Sequence, residues 1–244
     1  LSDNILYNDL GQGNAIRPVV GSGRLQKLYA SYFVRGIYTL KNRYILSLVG
    51  RRDGYSYFAK NKKWGFFPGV SVAWIVSDEP FLRDVPQINF LKLRVGYGVI
   101  GNNNIGTSGY GFYSIGKSYT FGNAIAQGAY LSQLSNNDLT WEKNSEINVG
   151  ADLKMFNNRI TIAADFFNRT ISDLLNKRLL PTDFIIDKVA ANVGKTRSRG
   201  WELGITTNNI QGASKNGLNW STTINLSRYY NTWLERDSLT LASL

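Results

Sequence analysis

The feature that most constrains this chain is a series of long stretches in which apolar and polar residues alternate strictly. Residues 93–106 read LRVGYGVIGNNNIG. Leu93, Val95, Tyr97 and Val99 fall on one side of an extended chain; Arg94, Gly96 and Gly98 fall on the other. Period-2 alternation is the signature of a strand with two unlike faces. In a soluble sandwich the apolar face is buried in a core. In a membrane barrel it meets lipid and the polar face meets a wet lumen. One strand cannot decide between these, so the decision rests on the rest of the sequence.

Composition removes several function classes. The 244 residues contain no Cys and no His. Disulfide frameworks and thiolate metal sites are therefore excluded, as are Ser-His-Asp and Cys-His catalysis. No metal site and no cofactor are expected. Lys and Arg number 28 against 17 Asp and Glu, a net charge of +11. The basic residues are dispersed in ones and twos, as at Lys41 and Arg43, Arg51 and Arg52, and Lys62 and Lys63. Dispersed positive charge suits a solvated lumen or an anionic membrane surface, and nucleic acid is not expected as a partner. No window reaches the roughly 18 apolar residues of a transmembrane helix. Residues 1–20 lack the basic start and apolar core of a signal peptide.

Strands are expected at 28–40, 44–58, 64–76, 93–100, 140–154, 160–175, 193–207 and 218–230, with loop over 1–25. Glu79-Pro80-Phe81-Leu82 reads as one helical turn. The connections sort by length. Tight or compact turns follow the first, third, fifth and seventh strands, at Lys41-Asn42-Arg43, 77–89, Phe156-Asn157-Asn158-Arg159 and near Gly212 and Gly217. Polar connections follow the others, and two of these, 101–139 and 176–192, are long. In an antiparallel meander alternate connections share an end, so short turns gather at one end and long loops at the other, as in outer-membrane barrels.

The polar faces sharpen the choice. Arg94, Glu146, Asn148, Asp152, Asp165 and Glu202 all fall opposite apolar neighbours. So many charges could not be buried unpaired in a sandwich core, whereas a wet lumen accepts them. The expectation is an all-β, antiparallel transmembrane β-barrel, with residues 26–244 supplying about eight long strands of its wall. Two other readings stay open: a self-contained small outer-membrane barrel acting as an adhesin or structural protein, and a soluble carbohydrate-binding β-domain. The first requires the first and last strands to pair. The second requires the apolar faces to be buried together.

Five motifs in order carry a resemblance: RRDG (51–54), WGFFPGVSVAWIVSDEPFL (64–82), LKLRVGYGVIGNNNIG (91–106), LTWEKNSEINVGADLKMFNNRITIAADFFNRTISDLL (139–175) and NVGKTRSRGWELGITTNNI (192–210). Over about residues 28–230 the chain resembles the C-terminal half of the barrel of the SusC/RagA family of TonB-dependent outer-membrane transporters. The resemblance implies a barrel of about 22 strands, an N-terminal plug domain, a SusD-like surface lipoprotein as lid, and import of glycans or peptides driven by TonB. It also implies a location in the outer membrane of a Gram-negative bacterium. The plug, the TonB-contacting segment and the terminal aromatic strand of such barrels are not recognisable here, so this chain is expected to be part of a longer protein.

Candidate sites follow. Tyr110, Phe112, Tyr113, Tyr119 and Phe121 crowd the 101–139 connection and form a candidate substrate platform, since aromatic faces stack on sugar rings or peptide side chains. Packing of the connection is the competing role. Trp64, Trp74, Trp141, Trp201 and Trp220 are expected in the interfacial aromatic girdle. Arg51, Arg52 and Asp53 are expected as an ion-pair cluster. Glu142, Glu146 and Asp152 share a strand, and paired carboxylates could hydrolyse glycosides; with no His and no cleft, no catalytic role is assigned and the chain is not expected to be an enzyme.

Overall fold

The computed structural model describes residues 26–106, 109–122, 124–212 and 217–237. The loop expected over 1–25 and the end of the chain at Leu244 lie outside the described residues. Among the described residues twelve strands form: β1 (Tyr29–Leu40), β2 (Tyr44–Tyr55), β3 (Trp64–Ile75), β4 (Ile88–Asn102), β5 (Phe112–Phe121), β6 (Ala124–Gln133), β7 (Glu142–Met155), β8 (Ile160–Ser172), β9 (Leu175–Leu179), β10 (Lys188–Asn192), β11 (Gly194–Ile210) and β12 (Trp220–Arg236). Eight of them make one antiparallel sheet in the order β1-β2-β3-β4-β7-β8-β11-β12. Hairpins β5–β6 and β9–β10 stand apart as two small sheets.

The sheet is a meander whose order follows the chain. The turn ends are compact. At the β1–β2 hairpin three residues, Lys41, Asn42 and Arg43, lie between the paired Leu40 and Tyr44; Lys41 and Asn42 take φ of 51° and 56°, and the Arg43 N–H donates to the Leu40 carbonyl at 3.1 Å. Between β7 and β8, Phe156, Asn157 and Asn158 have φ of 54°, 54° and 61°. Between β3 and β4 lie a 3-10 turn, Val76–Asp78, and helix α1 (Pro80–Arg83), which begins on a proline as helices commonly do.

The opposite end carries the long connections, and here the structure differs from the sequence expectation. The segments 101–139 and 176–192 are not simple loops, because each contains a hairpin. Strand ends also shift: β4 runs 15 residues and β12 runs 17, longer than expected, while β2 ends at Tyr55 and β8 at Ser172, short of the expected 58 and 175.

Register fixes the faces. Ala73, Arg94, Gly150, Asp165, Glu202 and Ser227 are cross-strand partners in one row on the polar face. Val72, Val95, Val149, Phe166, Trp201 and Arg228 form the adjacent row on the other face. Below it runs Trp74, Leu93, Ala151, Ala164, Leu203 and Leu226; above it run Val70, Tyr97 and Ile147. These apolar rows are exposed: Val72 is 51%, Val95 51% and Phe166 52% accessible. Among the described residues no second sheet covers them, so the burial that a soluble sandwich requires does not occur. Nor do β1 and β12 pair; they are the two edges of the sheet, as a single arc of a larger wall has.

The buried core is small and lies at the loop end. It consists of Tyr55, Tyr57, Phe58, Phe67, Leu139, Trp141 and Ala190, with Val99, Ile105 and Leu175 packed against it.

Candidate functional site

The polar face is organised around Arg94 in the middle of β4. Its guanidinium grips Asp165 on β8 with both terminal nitrogens, each at 2.8 Å. It also meets Asp152 on β7, through Nε at 3.1 Å and Nη2 at 3.2 Å. Lys92 adds a fourth charge, 3.7 Å from Asp152. A planar fork suits two carboxylates on neighbouring strands in a way an ammonium could not. The guanidinium reaches them by crossing β7 at Gly150, the one position in the row with no side chain to obstruct it. Nearer the loop end Arg169 binds Glu146 at 2.7 Å. Asn148 lies between these pairs on the same face, and Glu202 lies beside Asp165. All six polar residues singled out in the sequence therefore share one face.

The carboxylates are committed to ion pairs or backbone, not to one another. Glu142 accepts from the Asn102 amide at 2.9 Å and the Leu175 N–H at 3.0 Å; Glu146 and Asp152 are held as above. Each therefore has a structural partner. Among the described residues no group of three or more acidic side chains could hold a metal ion.

The loop end is capped by aromatic rings. Trp141 sits edge-on to Phe58 at 5.4 Å, Phe67 at 5.5 Å and Tyr55 at 6.4 Å between centroids. Its indole N–H donates to the Lys63 carbonyl at 3.2 Å. This corrects one expectation: Trp141 is 4% accessible and belongs to the cap, not to a girdle. It precedes β7 and turns into the space left where β3 and β4 part, since their ladder ends at Gly69 and Gly98, beside Pro68. A proline has no N–H to continue such a ladder. Trp64, Trp201 and Trp220 do lie exposed, and Trp201 stands in the apolar row. The Arg51-Arg52-Asp53 expectation divides. Arg51 pairs with Asp53 at 2.8 Å, while Arg52 points the other way and lies over the Trp64 ring at 5.1 Å.

The five candidate aromatics separate into two groups. Tyr110 precedes β5, packs edge-on to Tyr57 at 5.4 Å, and donates its hydroxyl to the Ser56 carbonyl at 2.8 Å. It ties the hairpin to the cap. Phe112, Tyr113, Tyr119 and Phe121 lie on β5 itself and are exposed, Tyr113 and Phe121 at 74% and 72%. Sequence reasoning missed the cap. Its members come from β2, β3, β10 and the β2–β3 and β6–β7 connections, and only the Tyr55-Tyr57-Phe58 crowding at the end of the second strand hints at it.

At the turn end Glu79 is a second focus. It accepts from the Tyr44 hydroxyl at 2.5 Å, the Arg43 guanidinium at 2.7 Å and the Trp74 indole N–H at 3.1 Å. These donors, the Tyr44 hydroxyl foremost, hold its carboxyl below the usual range. Glu79 so fastens the β3–β4 connection to the β1–β2 turn.

A meander with long strands, an exposed apolar face, a charged opposite face and connections sorted by length is an arc of an antiparallel membrane-type β-barrel. The TonB dependent receptor-like, beta-barrel family matches residues 2–241, and the chain belongs to that family. It is 34% identical over 207 residues to TonB-dependent receptor P39 of Formosa agariphila, an alignment covering 84% of this chain and 19% of that protein. It is 36% identical over 190 residues to TonB-dependent receptor SusC of Bacteroides thetaiotaomicron, covering 74% and 18% respectively. Its fold matches a chain of the RagAB peptide transporter with a TM-score of 0.78 at 25% identity, covering 87% of this chain and 23% of the other. The chain thus spans about a fifth of the length of the curated relatives it matches. The likeness to SusC and RagAB agrees with the resemblance carried by the five motifs.

Proposed function

We propose that residues 26–244 form part of the wall and outer loops of an outer-membrane importer of glycans or peptides. The apolar face meets lipid. The face bearing Arg94, Glu146, Asn148, Asp152, Asp165 and Glu202 lines the lumen. The long connections lie outside the cell, where such barrels carry their longer loops. Phe112, Tyr113, Tyr119 and Phe121, with Tyr110 anchoring them, contact the substrate at the mouth. Energy comes from the TonB complex acting on a plug domain, and a SusD-like lipoprotein closes the mouth. This chain is a passive wall without enzymatic activity.

The observation that carries this reading is the segregation of the two faces. Open apolar rows on one side would be intolerable in water, and a multi-strand ion network on the other would be intolerable in lipid. The chain has no cysteine, so single cysteines report on faces cleanly. In intact outer membranes Ser71→Cys should react with a small water-soluble maleimide, and its neighbour Val72→Cys should not. Equal labelling of both would sink the wall. Import is tested by deleting the protein and following labelled glycan oligomers and labelled peptides. The uptake that disappears names the cargo class, and loss of neither refutes import.

A further inference from the structure

We infer that the apolar face carries a binding site for the phosphorylated headgroup of an anionic lipid, built from Arg197, Arg199 and Arg228. The inference rests on the wall reading, which puts this face in the bilayer. Arg197 and Arg199 are alternate residues of β11, so they share a face about 6.6 Å apart. Arg199 pairs with Tyr230 and Asn168, and Arg228 pairs with Trp201, which places Arg228 diagonal to Arg199 on that same face. Arg199 stands in the row of Tyr97 and Ile147, Arg197 lies beyond it toward the loop end, and Arg228 stands one row below, in the row of Trp201.

Cations facing lipid normally find a carboxylate or the interface. These three have no ion pair to any acidic side chain among the described residues, although the chain forms such pairs at Arg43, Arg51, Arg94, Arg169 and Arg178. The Arg197 Nε is buried with no hydrogen-bond partner, and so is the neighbouring Asn168 Oδ1. Arg228 bends toward the interface, its Cζ lying 4.8 Å from the centroid of the Tyr230 ring. An arginine laid against an aromatic ring nearer the loop end, as Arg228 is against Tyr230, has the geometry of snorkelling. What the site lacks is an anion able to take several N–H donors at once, and a phosphate does this. The open rows below it, Trp201, Leu203 and Ile205 with Leu226 and Ile224, supply a bed for acyl chains. That bed selects a phospholipid over free phosphate or an acidic protein segment.

The test uses the native outer-membrane protein that contains this chain, placed in phosphatidylcholine nanodiscs doped with phosphatidic acid. Lipids that survive controlled delipidation are counted by native mass spectrometry. Wild type should retain phosphatidic acid in preference to phosphatidylcholine. Each guanidinium near a charged surface contributes about fivefold, so the triple variant R197Q/R199Q/R228Q should lose the preference by roughly a hundredfold. R228K should keep most of it, and added salt should weaken it in wild type without any substitution. An unchanged preference in the triple variant, or no preference in wild type that sits in the membrane fraction, overturns the site while leaving the wall intact. Displacement of the lipid by an acidic peptide at equal charge also overturns it. Recovery of wild type in the aqueous fraction without detergent would instead remove the wall reading itself.

Discussion

Gly150 lies directly beneath Arg94: a Cβ built on the glycine would sit 2.7 Å from the guanidinium carbon, and 2.6 Å from Asp165 Oδ1. The strand β7 therefore needs a bare position there for a cation on β4 to reach an acid on β8. Gly150→Leu should push the guanidinium off Asp165 and destabilise the native protein by about 1–3 kcal/mol, the usual cost of overpacking. Thermal unfolding in detergent measures it. A melting point equal to wild type would show that the network tolerates the side chain.

The three-strand network should also be non-additive. Arg94→Met leaves Asp152 with only Lys92 at 3.7 Å and Asp165 with no ion pair. Asp165→Asn leaves Arg94 with Asp152. Residues in one ion network couple by about 0.5–3 kcal/mol. The double variant should therefore be less destabilised than the sum of the singles. Strict additivity in a thermal double-mutant cycle would mean that solvent already screens the pair.

Acid should loosen the turn end through Glu79. Its ordinary pKa is 4.5, and in the folded protein it is held lower by the Tyr44, Trp74 and Arg43 donors. A depressed folded pKa means that unfolding takes up a proton at intermediate pH. The stabilisation is complete above 4.5 and declines as pH falls through the lower folded value. Glu79→Gln should remove that part of the acid dependence and leave a lower, flatter stability. Melting curves between neutral and strongly acidic pH, compared for wild type and variant, check it; parallel curves would relieve Glu79 of the role.

The sheet was legible because alternation encodes faces. Leu93 to Val99 and Ile147 to Leu153 fall on one side in the sequence and in the register, and Arg94, Asp152 and Asp165 on the other. Turn chemistry was legible at Asn42 and at Asn157-Asn158, whose positive φ is what Asn tolerates, while Lys41 and Phe156 take positive φ without that preference. Two features were not. The β5–β6 hairpin is broken by register shifts, one at Ile115/Lys117 where Gly116 has φ 132°, so its alternation is interrupted. The cap is a tertiary event. Nothing near Trp141 in the sequence reveals that Phe67, from a strand far earlier, will lie beside it.

Trp141 should control the loop end without controlling the wall. Its ring touches Tyr55, Phe58 and Phe67, and Phe67 in turn leans over Gly101, where a Cβ would meet its ring at 2.0 Å. Trp141→Ala removes the shared neighbour and should cost about 3–5 kcal/mol, as truncation of a buried aromatic does. Hydrogen exchange should accelerate over 55–63, 134–141 and 188–193, while β7 and β8 keep their protection. Loss of protection throughout the sheet would show that the cap and the wall unfold together.

The hairpin aromatics should separate stability from uptake. Tyr110 is tied down by its hydroxyl to Ser56 and its ring to Tyr57. Tyr110→Phe removes one hydrogen bond and should lower stability by about 1 kcal/mol. Tyr113, Tyr119 and Phe121 are exposed at 74%, 56% and 72%, so replacing them with Ser should change stability by no more than about 0.5 kcal/mol. Under the proposed function these exposed aromatics serve either substrate or a docked partner. Under the substrate reading the triple Ser variant binds purified glycan or peptide cargo several-fold more weakly, even without a lid protein present. If cargo affinity is unchanged and only uptake in cells falls, the rings dock the lid and are not substrate ligands. If neither changes, β5 has no part in import.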